Sequence, residues 1–199
     1  MASLHQAIAD QLPDRLEFYE NWLHPERLRH GTIGLAPLAA VLSFLRQEGT
    51  VYQVIMHRAG TYAADWTLAG HRVPAYGIVR ALPGGLRRRL ALGAARRLVR
   101  RCHRESRATI RVRRHATTVA IRGSVFCAVR EPVALPLCGF YAAAITRVLG
   151  AYGVAAAART DQCRGAGAPA CVLSVDTPDR DTSSADATVA CTGSEESDR

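Results

Sequence analysis

The sequence predicts an α+β domain in which helices pack on a small antiparallel sheet. Apolar residues recur at helical spacing through the first half of the chain, and a later region alternates apolar with polar residues as strands do. Helices followed by a run of strands are typical of the α+β class. With 48% hydrophobic residues among 199, the chain can bury one core, which excludes wholesale disorder.

Apolar spacing predicts five helices, over residues 14–23, 36–47, 52–68, 84–104 and 139–149. Pro25 and Gly49 end the first two, while Pro83 and Pro136 stand just before the last two. The 84–104 helix is the longest. Its predicted buried stripe consists of Leu86, Leu90, Ala94, Leu98 and Cys102.

The strands are predicted by alternation of period two. Ile110 and Val112 alternate with arginines, and Val119 and Ile121 resume the alternation after a short gap. This pattern predicts a hairpin of two strands over residues 108–113 and 117–122. Further strands are predicted over residues 124–130, 154–159 and 171–175.

Composition divides the chain into three parts. Residues 1–30 are predicted to form a helical extension, residues 31–176 the domain itself, and residues 177–199 an acidic tail rich in Ser, Thr and Asp. The tail has almost no large apolar residues and is expected to be disordered, because burial cannot offset its ordering entropy. No signal peptide is visible at the start and no stretch is apolar enough to span a membrane, so a cytoplasmic location is expected.

Positive charge is concentrated in one band. The chain has no lysine, and residues 78–130 hold 15 arginines against one acid, Glu105. Clustered arginines are sufficient for phosphate contacts, so a nucleic acid or another anionic surface is one class of partner that the band admits. No helix-turn-helix, RRM or zinc-finger signature accompanies it, which argues against base-specific recognition, and a solvated face is the alternative interpretation.

Three cysteines stand where their thiols suit metal chemistry. Cys163 and Cys171 flank a glycine-containing turn between predicted strands, and Cys138 stands at a predicted helix start, where backbone N–H groups lower a thiol's pKa. Because thiolates bind zinc, all three are candidate metal ligands. The residues alone leave two alternatives open, namely cysteines that only pack in the core and a Cys163–Cys171 disulfide.

Aromatic residues predict a pocket for an apolar planar ligand. Tyr62 and Trp66 are i, i+4 neighbours on one helix, His57 lies on the same helix, and Phe140 and Tyr141 follow Cys138. Adjacent helix residues diverge, so only one of Phe140 and Tyr141 is expected to face the pocket. Ordinary core packing of these aromatics is the alternative.

Common cofactor motifs are missing from the sequence. It contains no GxGxxG after a strand, no phosphate-binding loop and no haem-attachment CxxCH. Nor does a histidine lie near Cys138 in the sequence to activate it as a nucleophile. Enzymatic activity by this chain alone is therefore not expected.

The C-terminal part of the domain resembles a known family. Pro136-Leu-Cys-Gly-Phe-Tyr, then a helix, then Cys163-x3-Gly-x3-Cys171 leading into a strand, is similar to the ending of 4-vinyl-reductase-type small-molecule-binding, or hydrocarbon-binding, domains. The upstream order of Gly60-Thr-Tyr, an arginine-rich helix and a hairpin also looks like that family. The family includes a 4-vinyl reductase protein of bacteriochlorophyll biosynthesis and sensor domains of aromatic-responsive regulators. Its fold is similar to TRAPP subunits and to haem nitric-oxide-binding domains.

The resemblance implies a zinc ion held by Cys138, Cys163 and Cys171 together with a carboxylate. The family's glutamate near the penultimate cysteine has no counterpart, because no glutamate occurs between Glu131 and Glu195. Asp161 is the predicted fourth ligand, and Cys127 is the alternative.

The function implied by the resemblance is that of a bacterial, cytoplasmic small-molecule-binding protein. It would be a carrier, a sensor or an accessory factor for a tetrapyrrole or aromatic ligand, for instance in bacteriochlorophyll biosynthesis. Any catalytic part would be that of an accessory to a vinyl reductase, and a homodimer is expected. Two alternatives come from other classes: an arginine-rich protein that binds nucleic acid or an anionic surface, and a dimeric scaffold subunit.

Overall fold

The computed structural model describes residues 2–24, 34–70, 76–103, 105–113, 116–129 and 132–176. The predicted α+β fold class is confirmed: within these ranges seven helices pack on a four-stranded antiparallel sheet. The helices are α1 (Ala2–Gln11), α2 (Leu16–Leu23), α3 (Leu35–Gln47), α4 (Thr50–Ala69), α5 (Tyr76–Ala81), α6 (Gly84–Cys102) and α7 (Gly139–Ala151). No helix in the described ranges has the length and apolar character needed to cross a membrane.

The sheet has the strand order β1-β2-β4-β3. Its strands are β1 (Arg107–Val112), β2 (Thr117–Arg122), β3 (Ala157–Gln162) and β4 (Cys171–Asp176). The predicted β1–β2 hairpin is confirmed, with Ile110 opposite Val119. Alternate residues of β2 and β4 are buried, so one face of the sheet packs on the helices, and both α6 and α7 contact it.

Helices α4 and α7 pack closely, because Gly60 of α4 has no side chain where the two helices meet. A Cβ atom at Gly60 would stand 2.2 Å from the backbone oxygen of Phe140 and 3.1 Å from the Cβ of Ala143. Beside this contact, the ring centroid of Phe126 lies 4.6 Å from that of Phe140 and 5.3 Å from that of Tyr141. These rings contribute to the centre of the core, and Phe126, Phe140 and Tyr141 are all fully buried.

The N-terminal helices belong to the same core. Leu4, Ala7 and Ile8 of α1 are fully buried, and α1 packs along α4. Tyr19 and Leu23 of α2 join the same hydrophobic cluster. Neither α1 nor the short α5 was among the helices that the apolar spacing predicts.

Two sequence predictions are wrong in detail. The strand predicted over residues 124–130 is not formed in the described part, 124–129, because Val125–Cys127 instead form a turn of 3-10 helix whose three side chains are all buried. In α6 the buried face is rotated from the predicted stripe. Leu86 and Leu90 are 44% and 42% exposed, and the side chains that face the core are Ala91, Leu92, Ala95, Leu98 and Val99. The predicted acidic tail, 177–199, lies outside the described residues.

The Gly60 contact gives a stability prediction. We expect Gly60→Ala to lower the free energy of unfolding by about 2 kcal/mol or more, because its methyl group would overlap the backbone of α7. Gly93→Ala is the matched control, since Gly93 is in mid-helix on α6 with nothing within 4 Å of an added Cβ. That control should raise stability by about 0.5–1 kcal/mol. Thermal and denaturant unfolding of both variants measure the difference, and equal stability of the two variants would contradict the packing described.

Candidate metal centre and adjoining clefts

Four buried cysteines meet where the sheet adjoins the start of α7. Cys127 closes the 3-10 turn after β2, and Cys138 immediately precedes α7. Cys163 follows β3, and Cys171 is the first residue of β4. Four separate segments of the chain therefore each supply one thiol.

The thiols are close enough to share a single ion. The Sγ atom of Cys127 lies 3.2 Å from that of Cys138, 3.5 Å from that of Cys163 and 3.5 Å from that of Cys171. The Cys138 and Cys163 sulfurs are 3.7 Å apart, and all four lie within 4.8 Å of one another. Each of these cysteines is a free thiol, so this group could hold a metal ion.

Backbone geometry holds two of the sulfurs in place. The Leu137 N–H donates to the Sγ of Cys163 at 3.2 Å, and the Arg164 N–H donates to the Sγ of Cys171 at 3.4 Å. The turn between them is tight, since a Cβ at Gly165 would stand 2.6 Å from Leu137 Cδ1. Gly167 adopts φ +88°, a left-handed conformation that glycine tolerates best. The glycines of this turn therefore let the Cys163 loop fold against the Cys138 loop.

Hydrogen bonds also favour the charged form of two of the thiols. Those from Cys127, Cys138 and Cys171, with the Leu137 N–H, lower the pKa of Cys163 below its usual range. Those from Cys127 and Cys138 lower the pKa of Cys171 to about 7.

Tyr52 is a neighbour of the cysteine group. Burial raises the pKa of Tyr52, and its hydroxyl has no hydrogen-bond partner among the described residues. Tyr52 lies in the first turn of α4, and sequence reasoning did not identify it as a neighbour of the cysteines.

The predicted cysteines converge, whereas the predicted carboxylate does not join them. Cys138, Cys163 and Cys171 meet as expected, and Cys127 is the fourth member of the group. Asp161, the predicted fourth ligand, is not a member of this group. Its side chain is on the exposed part of β3, where it accepts a hydrogen bond from Ser174 at 2.9 Å and pairs with Arg159 at 3.4 Å.

The predicted aromatic pair is adjacent but faces outward in part. The rings of Tyr62 and Trp66 stack, with centroids 6.1 Å apart, yet Trp66 is 46% exposed. The Tyr62 hydroxyl donates to Asp10 of α1 at 2.5 Å. Trp66 and Phe140 line a shallow cleft of about 210 Å³ together with Ala63 and Leu98, which we name the tryptophan-side cleft.

The two remaining aromatic predictions separate as helix geometry requires. Phe140 borders the tryptophan-side cleft, whereas Tyr141 is fully buried and does not line it. His57 is exposed on α4 and lines neither of the two clefts described. Of the predicted ligand-binding residues, Trp66 and Phe140 thus share one cavity wall.

A larger cleft adjoins the cysteines themselves. It has a volume of about 370 Å³ and includes Cys127 in its wall. We name it the cysteine-side cleft; its apolar wall consists of Leu35, Ala39, Val125, Val129 and Pro132. Its polar groups include His103, Arg164 and Ser124, and the Oγ of Ser124 is buried without a hydrogen-bond partner among the described residues.

The loop at the base of this cleft is fixed by a glycine. Gly123 has φ +63°, and a Cβ there would stand 2.5 Å from the backbone oxygen of Glu105. The Ser106 hydroxyl donates to the Gly123 carbonyl at 2.7 Å. The segment that carries Ser124 and Cys127 is therefore held against the chain entering β1.

No protein-family model matches the chain, and no curated protein matches its sequence.

The placement of Cys127 and Asp161 gives a direct prediction. We expect Cys127→Ser to weaken binding of a thiophilic divalent metal at least about tenfold, because one of four thiolate ligands is lost. Asp161→Asn is the control and should leave the affinity unchanged, because its carboxylate lies outside the group. Competition with a chromophoric chelator measures both variants. An equal loss of metal affinity in the two variants would show that Asp161 is a ligand.

Proposed function

We propose that the chain is a zinc-organised small-molecule-binding domain of the 4-vinyl-reductase type. The observation that carries this proposal is the meeting of four buried cysteines, three of them in the segment that resembles the family. Zinc is favoured over other metals by the donor set, since an all-thiolate tetrahedral site is typical of structural zinc. Iron bound by four cysteines is the alternative that metal analysis distinguishes.

The sulfur separations support a tetrahedral ion. With Zn–S bonds near 2.3 Å, the edges of a regular tetrahedron of sulfurs measure about 3.8 Å. The pairwise distances of 3.2 to 3.7 Å and the 4.8 Å limit on all pairs bracket that value. Only small side-chain movements are needed to reach it.

A closed four-thiolate site supports a structural role for the metal. All four cysteines are buried, and the chain itself supplies four ligands, so a tetrahedral ion would keep no open position for a substrate. When bound, zinc would neutralise the thiolates and link the four segments that carry them. The Leu137 and Arg164 N–H groups orient two of those sulfurs and stabilise their negative charge.

The cysteine-side cleft supports the binding part of the proposal. Ligand pockets are commonly about 300 to 1,000 Å³, largely apolar, with a few polar groups that orient the ligand. At about 370 Å³ the cysteine-side cleft lies in that range, whereas the tryptophan-side cleft, at about 210 Å³, lies below it. The ligand class that fits is a small apolar or single-ring aromatic molecule, with Arg164, His103 and Ser124 available for a polar substituent.

Cys127 connects the two parts. Its sulfur belongs to the metal group and its residue lines the cleft, so an occupant of the cleft would contact the segment that holds the metal. Such contact would couple ligand binding to the stability of the metal centre. This arrangement suits a sensor or carrier.

Metal content tests the first part of the proposal. Native mass spectrometry of the protein purified from its own host should show one zinc ion per chain. Chelation should lower the melting temperature, because metal binding free energy contributes to folding. Cys171→Ser should lower the zinc content, because it removes one thiol of the group. Cys102→Ser is the control and should leave the zinc content unchanged, since Cys102 is not a member of the group. Protein that is free of metal, with unchanged stability after chelation, would refute the zinc centre.

Filling each cleft tests the second part. In a screen of small aromatic compounds by thermal shift, we expect Ala39→Phe to abolish the response, because Ala39 is exposed on the wall of the cysteine-side cleft. Ala63→Phe fills the tryptophan-side cleft and should leave the response intact. The reverse result, with quenching of Trp66 fluorescence by the same compounds, would move the binding site to the predicted aromatic residues. No response to any compound in the wild-type protein would count against small-molecule binding.

A further inference from the structure

One face of α6 is strongly positive. Five arginines, Arg89, Arg96, Arg97, Arg100 and Arg101, are exposed along it, and we name this surface the arginine face. None of the five forms an ion pair with a carboxylate in the described part of the chain. Other arginines in the described chain do form ion pairs with carboxylates, as Arg147 does with Asp65 at 2.7 Å.

The spacing of these arginines makes them repel one another. Arg96 and Arg100 are four residues apart, as are Arg97 and Arg101, so each pair shares one side of the helix. Like charges at this spacing destabilise a helix. A negatively charged occupant would relieve that repulsion.

The sheet directs the chain toward this helix. Val175 of β4 lies opposite Thr117 of β2, and the Thr117 hydroxyl is a hydrogen-bond partner of Arg88 in the second turn of α6. On the other side of β4, Asp176 lies opposite Ala157, at the start of β3. The loop that leads into β3 also contacts α6.

That second contact is made by Gly153. Its carbonyl accepts a hydrogen bond from Arg87 at 3.1 Å, and a Cβ at this position would lie 3.5 Å from Arg80 Cγ. Both neighbours of β4 thus tie its final residue to the N-terminal half of α6. Asp176, the last described residue, is thereby linked to the end of α6 that carries Arg89, whereas the other four arginines of the face lie further along the helix.

Those next residues have the opposite charge. Residues 177–199 contain six acids and two arginines, and the acids fall mainly in two groups, Asp179 with Asp181 and Glu195 with Glu196 and Asp198. By the random-coil relation, a chain of this length has a root-mean-square span of roughly 25 Å, close to the length of about 28 Å that α6 covers. A matched span gives a tethered segment an effective concentration of about the millimolar range.

We propose that the acidic segment 177–199 of this chain binds the arginine face of α6. The segment is then an intramolecular partner that covers the positive surface and competes with any external polyanion. This inference does not depend on the zinc centre or on the cysteine-side cleft, and Arg101 also lines the tryptophan-side cleft.

Paramagnetic relaxation in the full-length protein tests the proposal. A nitroxide is attached to Cys191, which lies within the acidic segment, while four of the other cysteines are buried and burial raises the pKa of the Cys102 thiol to about 12. We expect the label to broaden backbone amide signals of α6 strongly and those of α2 weakly. The broadening should disappear in about 0.5 M salt, where charges are screened within a few ångströms.

Charge-matched variants complete the test. Glu195→Gln with Glu196→Gln should reduce the broadening at least about twofold, because two of six acids in the segment are neutralised. Asp14→Asn with Glu17→Gln, two exposed acids outside the segment, is the control and should leave it unchanged. Arg97→Gln with Arg101→Gln should reduce the broadening from the other side of the interface.

Three outcomes would overturn the proposal. Equal broadening of α6 and α2 would mean that the segment has no preferred surface. Broadening that persists in high salt would exclude a charge-driven contact. A single-stranded oligonucleotide that binds α6 in low salt without displacing the label would assign the arginine face to nucleic acid and not to the segment.

Discussion

The close approach of α4 and α7 is the constraint on which the rest of the structure depends. Gly60 has no side chain, so the backbone of α7 at Phe140 can lie directly on α4. Phe140 is two residues beyond Cys138, and this contact therefore also fixes the position of one thiol of the cysteine group. The opposite side of α7 supports β3, with the Thr146 hydroxyl accepting from the Ala158 N–H at 2.8 Å. One missing methyl group thus aligns the helical layer, the sheet and the candidate metal centre.

Periodicity predicted the positions of the helices and of the hairpin better than it predicted which of their residues are buried. The β1–β2 hairpin and the helices α3, α4, α6 and α7 appear at nearly the predicted places. The predictions failed where two layers compete for one segment. In α6, the alanines at 91 and 95 pack inward although Leu86 and Leu90 are more apolar, because the helix also contacts α7 and β1 and small residues suit that crowded contact. The buried Val125–Cys127 segment reads as a strand in sequence, but it turns to deliver Cys127 to the cysteine group.

The candidate site was predictable in its chemistry and less so in its membership. Spacing around the turn brought Cys163 and Cys171 into consideration, and the predicted helix start did the same for Cys138. The sequence offers Cys127 only as an alternative ligand, because its proximity depends on β2 and β4 being neighbours, which no local pattern reveals. The same limit applies to Tyr62, since its contact with Asp10 requires α1, a helix that the apolar spacing did not identify. The surroundings of residues on α4 therefore depend on α1 as well as on the apolar spacing of α4 itself.

The position of β4 has a consequence for the order of folding during synthesis. It is the last described strand to leave the ribosome, yet it lies between β2 and β3 and supplies the backbone partners of both. In the final sheet, the β1–β2 hairpin and β3 are each hydrogen-bonded to β4 and not to each other. Until β4 is in place, β2 therefore presents an unpaired edge, with which strands of other chains can pair. Insertion of a central strand also requires contacts between residues far apart in sequence, which form slowly. A nascent chain of this protein consequently needs chaperones most before residues 171–176 have emerged from the ribosome.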